Sequence, residues 1–145
     1  MGQDTYIITE NSGKLEVNGT KSDSVTFAGV NWRGIRSENY QAGSTIKYAK
    51  ILETSNNPYY YDWFVKFEAA TIENSRFSGS QYGPKIGNGS KITNSKVHNI
   101  RRTGMEIFSN STATGNEFYD INTQESQNNH VYVNNSTFNL SLIHI

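Results

Sequence analysis

The sequence predicts an all-β fold, a parallel β-helix solenoid, on three observations. One short phrase recurs, as ENSRF at 73–77, TNSKV at 93–97, TGNEF at 114–118 and NNSTF at 134–138. Aligning the copies puts Ile72, Ile92, Ala113 and Val133 in one column, with steps of 20, 21 and 20 residues. Phe77, Val97, Phe118 and Phe138 form a second column, always five residues further on. A period near twenty built from short apolar runs is the mark of stacked coils, each too small to bury its own apolar face. The second observation is period-two alternation, as in Lys91-Ile92-Thr93 and Trp63-Phe64-Val65-Lys66-Phe67, which assigns strands. The third is an exclusion: helical repeats need more than ~30 residues, and four leucines are too few for a leucine-rich repeat.

Taken in order, the elements start loosely. KLEVNGT (14–20) and SVTFAG (24–29) read as two strands of a first coil, with Val25 and Phe27 inward. STIKYAKI (44–51) supplies Ile46 and Ile51, again five apart, with Tyr48 between them. A third strand per coil is expected in WRGIR (32–36), WFVKF (63–67), YGPKI (82–86) and GMEIF (104–108), with Ile35, Phe67, Ile86 and Ile107 as its inward column. SQNNHVYV (126–133) offers no clear member to that column. The chain is thus one domain over 1–139, irregular in its first coils (1–70) and regular over 71–139, with five or six coils of 20–26 residues. At about 4.8 Å per coil, the prism is roughly 25–30 Å long.

Between the two apolar columns lies a column of Asn74, Asn94, Gly115 and Asn135. Asn and Gly tolerate positive φ best, so each coil is expected to bend there through a left-handed residue. Stacked amides would add an asparagine ladder, with Gly115 keeping the bend and losing a rung.

Composition narrows the function classes. Asn, Ser and Thr fill 47 of 145 positions, yet 12% aromatic residues and spaced Ile, Val and Phe supply a core. With 13 basic and 13 acidic residues there is no net charge to draw a nucleic acid. Cysteine is absent, which removes disulfides and thiolate metal sites. No apolar run approaches a membrane span, and no cofactor is implied.

The run Gly13–Thr20, then Val25–Phe27, Trp32–Ile35 and Tyr48–Ile51, resembles the right-handed parallel β-helix repeat proteins of secreted and surface-attached bacterial origin. Residues 71–139 resemble the more general coils of the pectate-lyase-like superfamily. The resemblance implies a right-handed helix and an extracellular or cell-surface location. Its activities are diverse, spanning lyases, hydrolases, adhesins and inert spacers. The closing LSLIHI resembles translated adapter sequence from metagenomic assemblies, which would make 140–145 a non-native tail. A solenoid cut mid-coil would then present apolar side chains and bare strand edges, and end-to-end or edge self-association is expected there.

In the resembled enzymes, substrate lies along the outer face of the sheet containing WFVKF. The outward residues would be Lys66, Lys85 and Glu106 on one side of the inward column, with Arg36 and Glu68 on the other. A lyase needs a base and a positive charge at the uronate carboxylate, which the lysines and Arg36 could supply. A calcium site would need a cluster of oxygen ligands, and none is visible. Glu68 and Glu106 fall two coils apart, unlike the paired carboxylates of a hydrolase.

NNPYYYDWF (56–64) stretches the step from Ile46 to Ile72 to 26 residues, so it must bulge from the solenoid. Tyr59, Tyr60, Tyr61 and Trp63, with Asp62 as a hydroxyl acceptor, suit a sugar-stacking platform that Tyr40 and Tyr82 could extend. His98, His130 and His144 have no metal-ligand spacing. A flat threonine array of the ice-binding kind is broken by Glu73 and Asn134 beside Thr93 and Thr114. The expectation is a non-catalytic scaffold that binds polysaccharide; the alternative is a fragment of a lyase or hydrolase acting on acidic glycans.

Overall fold

The computed structural model describes residues 5–29, 32–37, 43–52, 63–121 and 131–143. Within them the chain is a parallel β-solenoid without a helix. Its first tier is β1 (Thr5–Thr9), β2 (Glu16–Asn18) and β3 (Val25–Phe27). The second is β4 (Trp32–Ser37), β5 (Thr45–Lys47) and β6 (Ala49–Leu52). The third is β7 (Val65–Glu68), β8 (Thr71–Glu73) and β9 (Arg76–Ser78), followed by β10 (Pro84–Gly87), β11 (Lys91–Thr93) and β12 (Lys96–Ile100). The fifth joins β13 (Met105–Ile107) to a long β14 (Thr112–Ile121) that turns the corner unbroken. β15 (Val131–Val133) and β16 (Thr137–Ile143) close the chain.

Every strand pairs in parallel with its counterpart one tier away. The first sheet runs β1-β4-β7-β10-β13-β15. A bent ten-stranded sheet supplies the other two faces, β2-β5-β8-β11-β14 and β3-β6-β9-β12-β14, with β16 also on β14. Four tiers enclose an apolar core, from Ile35, Ile46 and Ile51 in the second to Ile107, Ala113 and Phe118 in the fifth. The closed turns number about four, fewer than the five or six expected, because each end tier has a neighbour on one side only. Val25, expected inward, is 37% exposed for that reason.

The two repeat columns stack as predicted through three tiers: Ile72, Ile92 and Ala113 pair in register, as do Phe77, Val97 and Phe118. The fourth copy does not join them. Phe138 sits opposite Ala113, in the first column, and Ile143 opposite Phe118. Val133 moves to the first sheet, opposite Ile107, where no member was expected. The cause is a longer last step, 25 residues from Ala113 to Phe138 rather than 20. β16 continues through Ile143, so residues 140–143 of the supposed tail are strand. A smaller shift affects the first sheet: Ile35 pairs with Val65, and Ser37, not Ile35, lies opposite Phe67.

The corner column bends as its residue types demand. Tyr48, Asn74, Asn94 and Gly115 have φ of 50°, 51°, 49° and 70°. Gly115 suits the column, since a Cβ there would meet Asn94 Oδ1 at 2.5 Å. The tiers are stitched here by main chain: the N–H groups of Tyr48, Asn74 and Asn94 donate to the carbonyls of Glu73, Thr93 and Thr114 at 3.1 Å. Asn74 and Asn94 themselves are exposed. Asn135 is also left-handed (φ 46°), but it belongs to another corner, where its carbonyl accepts from Asn110 N–H at 2.7 Å.

Inside the corners run two polar ladders. Ala49 N–H donates to Ser75 Oγ (3.1 Å), Ser75 N–H to Ser95 Oγ (3.1 Å), and Ser95 N–H to Asn116 Oδ1 (2.9 Å). In the corner between the first and second faces, Leu15, Ala70 and Ser111 donate to Ser44, Ser90 and Ser136 at 3.0–3.1 Å. Buried N–H groups that point along the axis must find acceptors, and the serines provide them.

Candidate functional site

Residues one apart on a strand face opposite ways, and parallel register stacks equivalent positions. The outward column of the first sheet is therefore Ile8, Arg36, Lys66, Lys85, Glu106 and Tyr132, one per tier. Lys66, Lys85 and Glu106 stand together as expected. Arg36 does not lie across the inward column from them: it pairs in register with Lys66 and continues their column. Glu68 occupies the parallel outward row, opposite Gly87.

The charges on this face are paired. Lys85 Nζ lies 3.1 Å from Glu106 Oε1, and Lys66 Nζ 3.7 Å from Glu68 Oε1. Glu68 is 3% exposed, and its Oε2 has no hydrogen-bond partner among the described residues. Lys85 Nζ also sits 5.5 Å from the Trp63 ring centroid and 5.2 Å from that of Phe108, within cation–π range of both. The Phe108 ring fits because position 87 is glycine; a Cβ there would come within 2.2 Å of it.

Trp63 and Tyr82 meet with centroids 4.9 Å apart and planes tilted by 45°. Both are half-buried. Arg102 Nη1 donates to Tyr82 Oη at 2.8 Å. The site is thus a compact cluster in which a cation is shared by two rings and a carboxylate. Chemically it can present a ring edge, a phenol and an ammonium group to a polar ligand. Tyr59, Tyr60, Tyr61, Asp62 and Tyr40 lie outside the described residues, as do His130 and His144. Among the described residues no group of three or more His, Cys, Asp or Glu is placed to hold a metal ion.

Two cluster members were not foreseen. Phe108 carries a sequence signal, an aromatic one position beyond an inward column at Ile107, with glycine at 87. Arg102 is one of a pair of arginines that reads as a solvated turn, and its reach back to the preceding coil has no local signature.

His98 is buried on the third face. Its Nε2 accepts from Arg76 Nε at 2.5 Å, and its ring stacks on Tyr119 at 4.5 Å and 8°. Burial first, then the neighbouring Arg76 charge, lower its pKa from the ordinary histidine value. Comparison with known proteins found no matching family model, no matching curated protein and no matching solved structure.

Proposed function

We propose that this chain is a non-catalytic solenoid scaffold of a larger exported bacterial protein, and that it binds polysaccharide through the Trp63–Tyr82–Lys85 cluster. The observation that supports the reading is the shared position of Lys85, held against Glu106 at 3.1 Å and between the rings of Trp63 and Phe108. Both lysines that a lyase would use as base have a carboxylate partner on the same face. A half-buried indole beside an ammonium group is a sound sugar contact, because it loses little side-chain freedom on binding.

The test is affinity electrophoresis in gels cast with neutral polysaccharide. Trp63→Ala and Tyr82→Ala should each abolish that retardation while leaving the unfolding free energy, read from urea titration, within about 1 kcal/mol of the parent. Retardation unchanged in both variants would remove the cluster from the ligand surface.

Glu68 supports the rival reading. Its carboxylate is buried, with Oε1 3.7 Å from Lys66 Nζ and Oε2 without a hydrogen-bond partner among the described residues, which suits a general acid or base. On that reading, release of unsaturated or reducing ends from acidic glycans should be measurable with the parent chain and lost in Glu68→Gln.

A further inference from the structure

The third face of the solenoid carries a feature that the cluster on the first sheet does not explain. Thr26, Lys50, Arg76, Lys96 and Glu117 stack in register as one outward column of β3, β6, β9, β12 and β14. Lys50, Arg76 and Lys96 are three successive cations, all exposed. Like charges directly opposite on neighbouring strands destabilise a sheet. On the first sheet, the equivalent run is offset by Glu68 and Glu106. On the third face, one carboxylate, Glu117, offsets one end: it lies 2.8 Å from Lys96 Nζ and, through that hydrogen bond, raises the pKa of the lysine. Lys50 and Arg76 have no carboxylate partner among the described residues.

Lys50, Arg76 and Lys96 of this column line a groove of about 240 Å³. Lys21, from the turn before β3, adds a fourth cation, and the corner residues Asn74 and Asn94 also line it. Both asparagines hold the left-handed backbone of the corner, with φ of 51° and 49°. Arg76 is oriented too: its Nε donates to His98 Nε2, which leaves the terminal amino groups for a ligand.

We propose that this groove binds an anionic glycan, lying along the solenoid axis with its carboxylate or sulfate groups on Lys50, Arg76, Lys96 and Lys21. The cations recur once per tier, about 4.8 Å apart. A polymer bearing one charge per sugar fits that spacing. Duplex DNA, with a charge every ~1.7 Å of axis, would bring nearly three per tier. The asparagine amides add neutral donors and acceptors for sugar hydroxyls. This site does not depend on the Trp63 cluster and lies on a different face.

Affinity electrophoresis in low salt, with polygalacturonate, dextran sulfate or duplex DNA in the gel, tests the proposal. Wild type should be retarded by at least one of the two glycans. Lys50→Gln/Arg76→Gln should weaken that retardation at least tenfold, and Lys50→Arg/Arg76→Lys should keep it. Trp63→Ala should leave retardation by the polyanion in place, which separates this site from the cluster. Retardation by polygalacturonate alone would assign carboxylate as the recognised group, and by dextran sulfate alone, sulfate. Equal binding by the double variant and wild type, no retardation of wild type by either glycan, or retardation by DNA as strong as by the glycans would each overturn the proposal.

Discussion

Ser75 N–H donates to Ser95 Oγ across 3.1 Å, joining two tiers through side chain rather than through a strand ladder. Ser95 passes the pattern on, its own N–H donating to Asn116 Oδ1 at 2.9 Å. Both serines are buried, so water is not available as a substitute. Ser95→Ala should leave a buried N–H without an acceptor and cost about 1–3 kcal/mol. The exposed Ser22→Ala should stay within about 0.5 kcal/mol of wild type. Urea unfolding of the two variants gives the comparison.

Phe118 is fully buried between Val97 and the last tier, with its ring 5.8 Å from Phe138. Phe118→Ala should cost about 3–5 kcal/mol through the cavity it leaves. Val133 is 41% exposed, and Val133→Ala should cost under about 1 kcal/mol. Similar losses in both would mean that the end tier is packed as tightly as the middle.

Gly115→Ala should destabilise by about 1–3 kcal/mol, because a side chain is placed at positive φ and against Asn94. Adding Asn94→Gly removes the steric part and should recover some of the loss. Additive effects in a double-mutant cycle would show that Asn94 is not what limits the site.

The lowered pKa of His98 has a definite sign in stability. The unfolded chain takes up its proton near pH 6.5, while the folded chain resists until lower pH. The stability tied to neutral His98 is therefore fully present above about pH 6.5 and is lost as pH falls through the window between the two values. Arg76→Gln removes a repelling charge and the donor that favours neutral imidazole, so it should move the His98 pKa upward. An NMR titration of the imidazole protons reads both values, and an unchanged pKa would show that burial alone sets it.

The stacking was legible where the repeat is strict. Ile72, Ile92 and Ala113 fall in register because each inward apolar position is fixed by the same five-residue unit around a left-handed corner. That same unit hid the last coil. Sliding Phe138 from one column to the next moves it by one unit, apolar onto apolar, and nothing local reveals the added length of the final step. Sequence alone does not single out the serines of the recurring phrase, since a hydroxyl that serves a buried N–H looks like one that faces water. For the candidate site, Lys66, Lys85 and Glu106 could be placed by alternation alone. The Lys50–Arg76–Lys96 column was equally available, as the residue before each of Ile51, Phe77 and Val97, but a cation before an apolar residue reads as an ordinary solvated edge.

The bonds from Tyr48 to Glu73, Asn74 to Thr93 and Asn94 to Thr114 all run from one tier to the next, as do the strand ladders. The solenoid is thus sewn along its length and held across its width by covalent backbone. Tension applied to its two ends would load the tiers in series, so the coil would peel open one turn at a time at the force that a single turn resists. Tension across one tier would meet peptide bonds instead. As a mechanical element, the molecule is a soft tether lengthwise and a stiff hoop crosswise.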